Sequence, residues 1–156
     1  MNRLISLAHL TVLELTPPEV ITAAASAGYS HASLRLAPSS PGVESQHPMI
    51  GDTPMFRETL QRMADTGVQL LDFEVLRINR DTAVADFLPV IETGARLGGK
   101  FVLVAGDVAD EPFMADSFAE LCELGAPLGI CMGLEFMPWT GVRTLAAARR
   151  IVEATN

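Results

Sequence analysis

Short apolar runs alternate with helical stretches from one end of this chain to the other, and no two runs are joined by a hairpin signal. Leu4 to Ala8, His31 to Leu36, Val68 to Val75, Phe101 to Ala105 and Leu128 to Phe136 read as strands. Helices are expected over Pro17 to Ala27, Pro54 to Thr66, Asp81 to Gly98, Pro112 to Leu124 and Thr140 to Ala154. Thr16 and Glu19 form a capping-box pattern with prolines in the first helical turn. Gly28, Gly67, Gly98-Gly99 and Gly125 stand where helices should stop. Pro89 falls inside the third helix, so a kink or a restart is expected there. On the fifth helix Leu145, Ala148, Ile151 and Val152 form the inward face. Strands separated by helices need crossover connections, so the sheet must be parallel.

Two architectures accommodate five βα units in a single α/β domain covering residues 1–156. One is an open doubly wound parallel sheet, whose usual size matches the chain. The other is part of a (β/α)8 TIM-type barrel, which typically needs about 250 residues, or three more units of the same size. Phe101-Val102-Leu103-Val104-Ala105 is apolar without alternation, as parallel strands covered on both faces tend to be.

Charge narrows the partners. A net charge of -8, with Lys100 as the single lysine, argues against nucleic acid and anionic membrane surfaces. No stretch approaches the roughly 20 apolar residues of a membrane span. The start of the chain superficially resembles a secretory signal, but His9 and Glu14 interrupt its apolar run, and Thr16 begins a helix. Cys122 and Cys131 have no metal-site spacing and read as reduced core residues of a cytoplasmic protein.

The common open-sheet chemistries lack their residues. The first turn, His9-Leu10-Thr11-Val12-Leu13-Glu14, has no glycine to let backbone approach a pyrophosphate. Neither a phosphate-cradling G-x-x-x-x-G-K-[ST] loop nor a G-x-S-x-G nucleophile turn occurs.

In a barrel, side chains at the carboxyl ends of the strands converge on one mouth. Those ends carry His9, Arg35, Glu74 with Arg77, Asp107 and Glu135. His9 either donates to a substrate oxygen or closes its strand on a backbone partner. Arg35 either clamps an anionic group or pairs with a carboxylate. Glu74, in phase with Asp72, either faces the lumen or pairs with Arg35 or Arg77. Asp107 lines the mouth or begins a turn, while His31 and His47 look incidental. Glu135 ends an apolar strand just before Pro138-Trp139 and a helix, a place that suits a divalent-metal ligand. Its alternative is a bond to neighbouring arginines. Trp139 either walls a sugar or packs under the fifth helix.

The segments "ISLAHLTVLELTPPEVITAAASAGYSHASLRL", "FRETLQRMADTGVQLLDFEVLRI", "GARLGGKFVLVAGD" and "GICMGLEFMPWTGVRTLAAARRIVEAT" resemble the sugar phosphate isomerase/epimerase family of xylose isomerase-like TIM barrels. The order and spacing of Ala25 to Tyr29, Ala95 to Gly99 and Gly133 to Phe136 carry the resemblance, which spans essentially the whole chain as the first five βα units. It implies a divalent metal (Mn²⁺, Mg²⁺ or Zn²⁺) at the mouth, held by a glutamate after strand five and by ligands from the last three strands. Glu135 matches the first ligand, and the others have no counterpart before Asn156. The implied reaction is isomerisation or epimerisation of a small ketose, sugar phosphate or 2-keto acid through an enediolate. Glu135 would be ligand and base, and His9, Arg35, Glu74 and Trp139 the substrate contacts. The related three-zinc endonuclease pattern needs histidines after strands three and four, where Glu74 and Asp107 stand. Two alternatives accompany this reading: a non-catalytic barrel fragment that assembles with another chain or as a homo-oligomer, and a lyase or dehydratase on the same scaffold. By itself the chain is expected to be inactive.

Overall fold

The computed structural model describes residues 4–36 and 47–155. The expected loop from Pro38 to Asp52 therefore lies largely outside the described residues, as do the first three positions of the supposed signal. Five strands, β1 (Ser6–Leu7), β2 (His31–Arg35), β3 (Gln69–Ile78), β4 (Phe101–Gly106) and β5 (Cys131–Glu135), alternate with five helices. These are α1 (Pro17–Ser26), α2 (Pro54–Thr66), α3 (Leu88–Arg96), α4 (Glu111–Gly125) and α5 (Leu145–Ala154).

The sheet is parallel throughout and its spatial order is its sequence order, β1-β2-β3-β4-β5. That order decides between the two architectures. A doubly wound sheet reverses direction at a switch point and puts helices on both faces. A sheet that steps one strand at a time with right-handed crossovers keeps all its helices on one face and curls towards a barrel. The structure is a partial barrel of five βα units.

Burial follows that asymmetry. Ala32, Leu34, Phe73, Val102 and Val104 are fully buried on the helix-covered face. Phe101, in phase with Leu103 and Ala105 on the concave face, remains 46% exposed. Leu103 on that face is half-buried and Ala105 fully buried, so β4 is covered by helices on one side and only in part on the other, which corrects the expectation of two fully covered faces. Its second face would be the barrel interior, filled by side chains from the other strands. The core is densest where the Phe73 ring lies over α3. A Cβ on Gly94 would come 2.2 Å from its Cε1, so the helix needs a glycine there for the ring to fit.

Several boundaries differ from expectation for identifiable reasons. Strand β1 is only two residues long, because the chain turns into a short 3-10 segment at His9–Val12. The capping box of α1 forms as expected, with Glu19 accepting from both the Thr16 N–H and its hydroxyl at 2.7 Å. Asp81 caps nothing; its N–H instead donates to Asn79 Oδ1 at 2.9 Å. A 3-10 turn at Val84–Phe87 precedes α3, which restarts at Leu88 with Pro89 in its first turn. Helix α4 ends at Gly125 as expected, but in a right-handed conformation (φ -84°), and a 3-10 turn leads on to the left-handed Gly129 (φ 70°). Gly125 has a packing role, since a Cβ there would sit 3.1 Å from the Ile130 carbonyl.

Helix α5 begins at Leu145, with Thr144 as its cap accepting from Ala147 N–H, and not at Thr140. Ala148 and Ile151 face inward as expected, but Leu145 is 64% exposed and Val152 is also open to solvent. Both cysteines are free; Cys122 is half-buried and packs against the core, whereas Cys131 lies exposed on β5, which corrects the expectation of a core residue there. Among the described residues no helix is long and apolar enough to cross a membrane.

Candidate active site

The carboxyl ends of β2 to β5 place their polar side chains on the concave face. Strand alternation puts Ser33 and Arg35 there from β2, opposite Asp72 and Glu74 of β3. Between Phe73 and Leu76 the register shifts by one residue, and the Glu74–Val75 peptide is cis. Beyond that bulge Leu76 and Ile78 are fully buried. Arg77 then pairs in register with Ala105, and Ala105 with Glu135. Two tiers result: Arg35 with Glu74, and Arg77, Ala105 and Glu135 beside them.

Glu74 is 8% exposed and accepts from Arg35 Nε at 3.0 Å. Its partner among the two sequence candidates is therefore Arg35, because Arg77 is taken. Arg77 forms a forked pair with Asp107, Nε to Oδ2 at 2.9 Å and Nη2 to Oδ1 at 2.7 Å. That geometry orients both groups and ties the end of β3 to the loop after β4. Asp107 is thus a structural partner at the rim.

Asp72 lies one step deeper. Its carboxyl is pushed above the usual range, chiefly by burial, with the nearby Glu74 charge adding to the effect and the Ser33 hydroxyl opposing it. Its Oδ1 is buried with no hydrogen-bond partner among the described residues. An unpaired buried acceptor of this kind costs about 1–3 kcal/mol, and retaining a proton reduces that cost.

His9 is buried, and both of its ring nitrogens face backbone. Nε2 lies 2.9 Å from the Leu15 carbonyl, and Nδ1 accepts from Arg35 N–H at 3.0 Å. Of its two sequence readings, the geometry is that of a histidine closing its strand on backbone partners. His47, read as incidental in the sequence, stacks on it with ring centroids 5.8 Å apart and 12° between planes.

Glu135 ends β5 exposed, and among the described residues its side chain makes no hydrogen bond or ion pair. The alternative of a glutamate bonded to neighbouring arginines is therefore not what forms; Arg35 and Arg77 hold Glu74 and Asp107. An accessible, unpaired carboxylate at a strand end suits a hard divalent cation. One carboxylate is not a metal centre, however. Among the described residues no three His, Cys, Asp or Glu side chains are grouped to hold an ion. This chain thus fits the implied metal as the source of a single ligand.

The loop after β5 is built tightly. Thr140 is buried, and its hydroxyl lies within hydrogen-bonding reach of the Met137 carbonyl at 2.9 Å and that of Val142 at 3.0 Å. Met137 N–H donates to the Val142 carbonyl and Val142 N–H to that of Gly106, each at 3.0 Å, which fastens the loop to the end of β4. Trp139 projects from it 77% exposed, so it does not pack under α5. Gly141 lies against the Val108 backbone, where a Cβ would come within 2.3 Å of the carbonyl carbon. Backbone cannot yield as a side-chain tip does, so Gly141→Ala should destabilise the chain by about 1–3 kcal/mol. Trp139 is the sole tryptophan, so its acrylamide quenching should change in parallel with the urea midpoint. An unaltered midpoint and unaltered quenching would refute this account of the loop.

The forked Arg77–Asp107 pair and the Thr140 loop are what sequence reasoning missed. The first had a signal: Arg77–Asp107 and Arg80–Asp110 are each separated by 30 residues, close to one βα repeat. The second had only a Thr-Gly pair between a tryptophan and a helix.

No family model and no curated protein matches this sequence. Solved structures do match. The IolI protein, crystallised with a bound zinc atom, superposes with a TM-score of 0.75 at 21% identity over 97% of this chain and 58% of its own. A xylose isomerase domain-containing protein from Salmonella typhimurium LT2 gives 0.78 at 10% identity, over 99% of this chain and 59% of its own. A sugar phosphate isomerase/epimerase from Parabacteroides distasonis gives 0.52 at 13%, over 83% of this chain and 50% of its own. The chain thus spans less than two thirds of the length of the structures it matches. The order of its strands and these superpositions together give it the fold of the xylose isomerase-like TIM barrels, of which it carries five βα units.

Proposed function

We propose that this chain is the five-unit part of a divalent-metal-dependent isomerase or epimerase acting on a small ketose, sugar phosphate or 2-keto acid. The observation that carries the reading is Glu135, an accessible carboxylate at the carboxyl end of β5 that has no partner among the described residues. When bound, a divalent ion would supply polarisation of a substrate carbonyl and the adjacent hydroxyl. Glu135 would contribute one ligand to it. Among the described residues Arg35 commits only Nε, to Glu74, which leaves guanidinium N–H groups for a substrate phosphate or carboxylate. The exposed Trp139 ring offers an apolar wall to a sugar face. Two free thiols fit a reducing compartment, and we place the protein in the cytoplasm.

Proton exchange tests the reaction class. In D₂O with Mn²⁺, a protein containing these five units in a complete barrel should incorporate deuterium at the carbon beside the carbonyl of a ketose or 2-keto acid. Glu135→Gln should suppress that exchange. Metal-independent exchange that survives the substitution would defeat the reading.

Open edges favour a second reading, a barrel piece that assembles with further βα units on another chain. Leu4 and Ile5 beside β1 are 63% and 62% exposed, and Leu145 beyond β5 is 64% exposed.

A further inference from the structure

Strand β1 ends after Leu7, two residues into its ladder with β2. The Arg35 N–H, at the far end of β2, therefore has no β1 carbonyl to donate to and uses the His9 ring at 3.0 Å. A backbone N–H can only donate, so Nδ1 must be the acceptor, and the ring proton sits on Nε2 facing the Leu15 carbonyl. One neutral imidazole thus joins the end of β1, the entry to α1 and the end of β2. His47, leading into α2, stacks on its face. The residue so held, Arg35, is the one whose side chain grips Glu74.

We infer that His9 is a positioning residue for the mouth: its neutral ring sets Arg35, and with it the Arg35–Glu74 pair, and protonation releases them. The functional consequence rests on the proposed role of Arg35; the clasp does not. A proton on Nδ1 would remove the acceptor and set two N–H donors against two groups, one of which is itself a donor.

The charged and titratable groups around the clasp are Arg35 on β2, Glu74 on β3, His47 before α2, and Glu19 on α1, which acts on His47. Burial is the main cause holding His9 below its ordinary value of 6.5; the Leu15 carbonyl and Glu74 oppose that, and Arg35 assists it. His47 is lowered too, by burial and then by His9. The sign follows. The unfolded chain binds these protons more readily, so the contribution to stability is complete above pH 6.5 and is lost as pH falls below it.

Amide exchange at Arg35 and the Arg35 Nε–H resonance, followed by NMR from pH 8 to 5, test this without metal or substrate. The Arg35 protection factor should fall at least about tenfold as His9 titrates, with the Nε–H resonance moving in step. His9→Phe should lack the protection at every pH. His9→Gln, which can accept and donate through one amide without titrating, should keep the protection and lose its pH dependence. Protection that is the same in His9→Phe, or an Nε–H resonance that stays fixed while His9 titrates, would overturn the inference. Should His9→Phe not fold, the wild type and His9→Gln decide it. Failure of the metal reading at Glu135 would leave these readouts untouched.

Discussion

Phe73→Ala should lower the free energy of unfolding by about 3–5 kcal/mol, measured by urea denaturation followed in the far ultraviolet. Phe73 is fully buried in the middle of β3, the central strand of the sheet. Its ring fills the space that Gly94 leaves open on α3, and Gly99 also borders it, at 3.2 Å for a built Cβ. Helix and strand are locked by that contact, so neither can collapse onto the vacancy without breaking the ladders to β2 and β4. A typical domain has only about 5–15 kcal/mol of stability, so the loss is a large fraction of the whole. A shift below about 1 kcal/mol would mean that the α3–β3 contact is not what holds this part of the core.

Arg35→Ala should cost nearly as much, about 3 kcal/mol, at the low end of the range for breaking a buried pair. Glu74 is 8% exposed, and in the variant its carboxylate would lose the one charged partner it has among the described residues. The Arg35 side chain retains 26% of its exposure, so part of its charge is already solvated and the upper end of the range does not apply. Replacing both residues, as Arg35→Met with Glu74→Gln, should recover most of the loss, because no uncompensated charge remains. Additive losses in the double variant would contradict a direct pairing.

What the sequence could reveal was governed by range. Helices α1 and α2 were legible because their signals are local: Thr16 with Glu19, Pro54 in a first turn, Gly67 at a stop. Asp81 carried the same kind of signal and meant something else, while Gly125 ends α4 and is also held to its size by packing. Asp81 lies in a turn closed by Asn79, and Gly125 is small because β5 passes close to it. Strand order was not legible in any local pattern, since open and closed sheets share the same alternation of elements and only pairing partners distinguish them. Only the family resemblance pointed to the barrel. At the site, Glu135 was visible because a charge ending an apolar strand is anomalous on its face. Which arginine Glu74 chooses, and the commitment of both His9 nitrogens to backbone, depend on registers between strands that no local pattern records.

The central claim is that β5 delivers Glu135 as a metal ligand. Mn²⁺ titration, by calorimetry or paramagnetic relaxation, should be done on a complete barrel that contains these five units, with Glu135 intact and as Glu135→Gln. Loss of even an outer partner of a ligand typically costs about 10- to 100-fold in affinity, so loss of the ligand itself should cost at least that. Equal Mn²⁺ affinity in the two proteins would contradict the assignment.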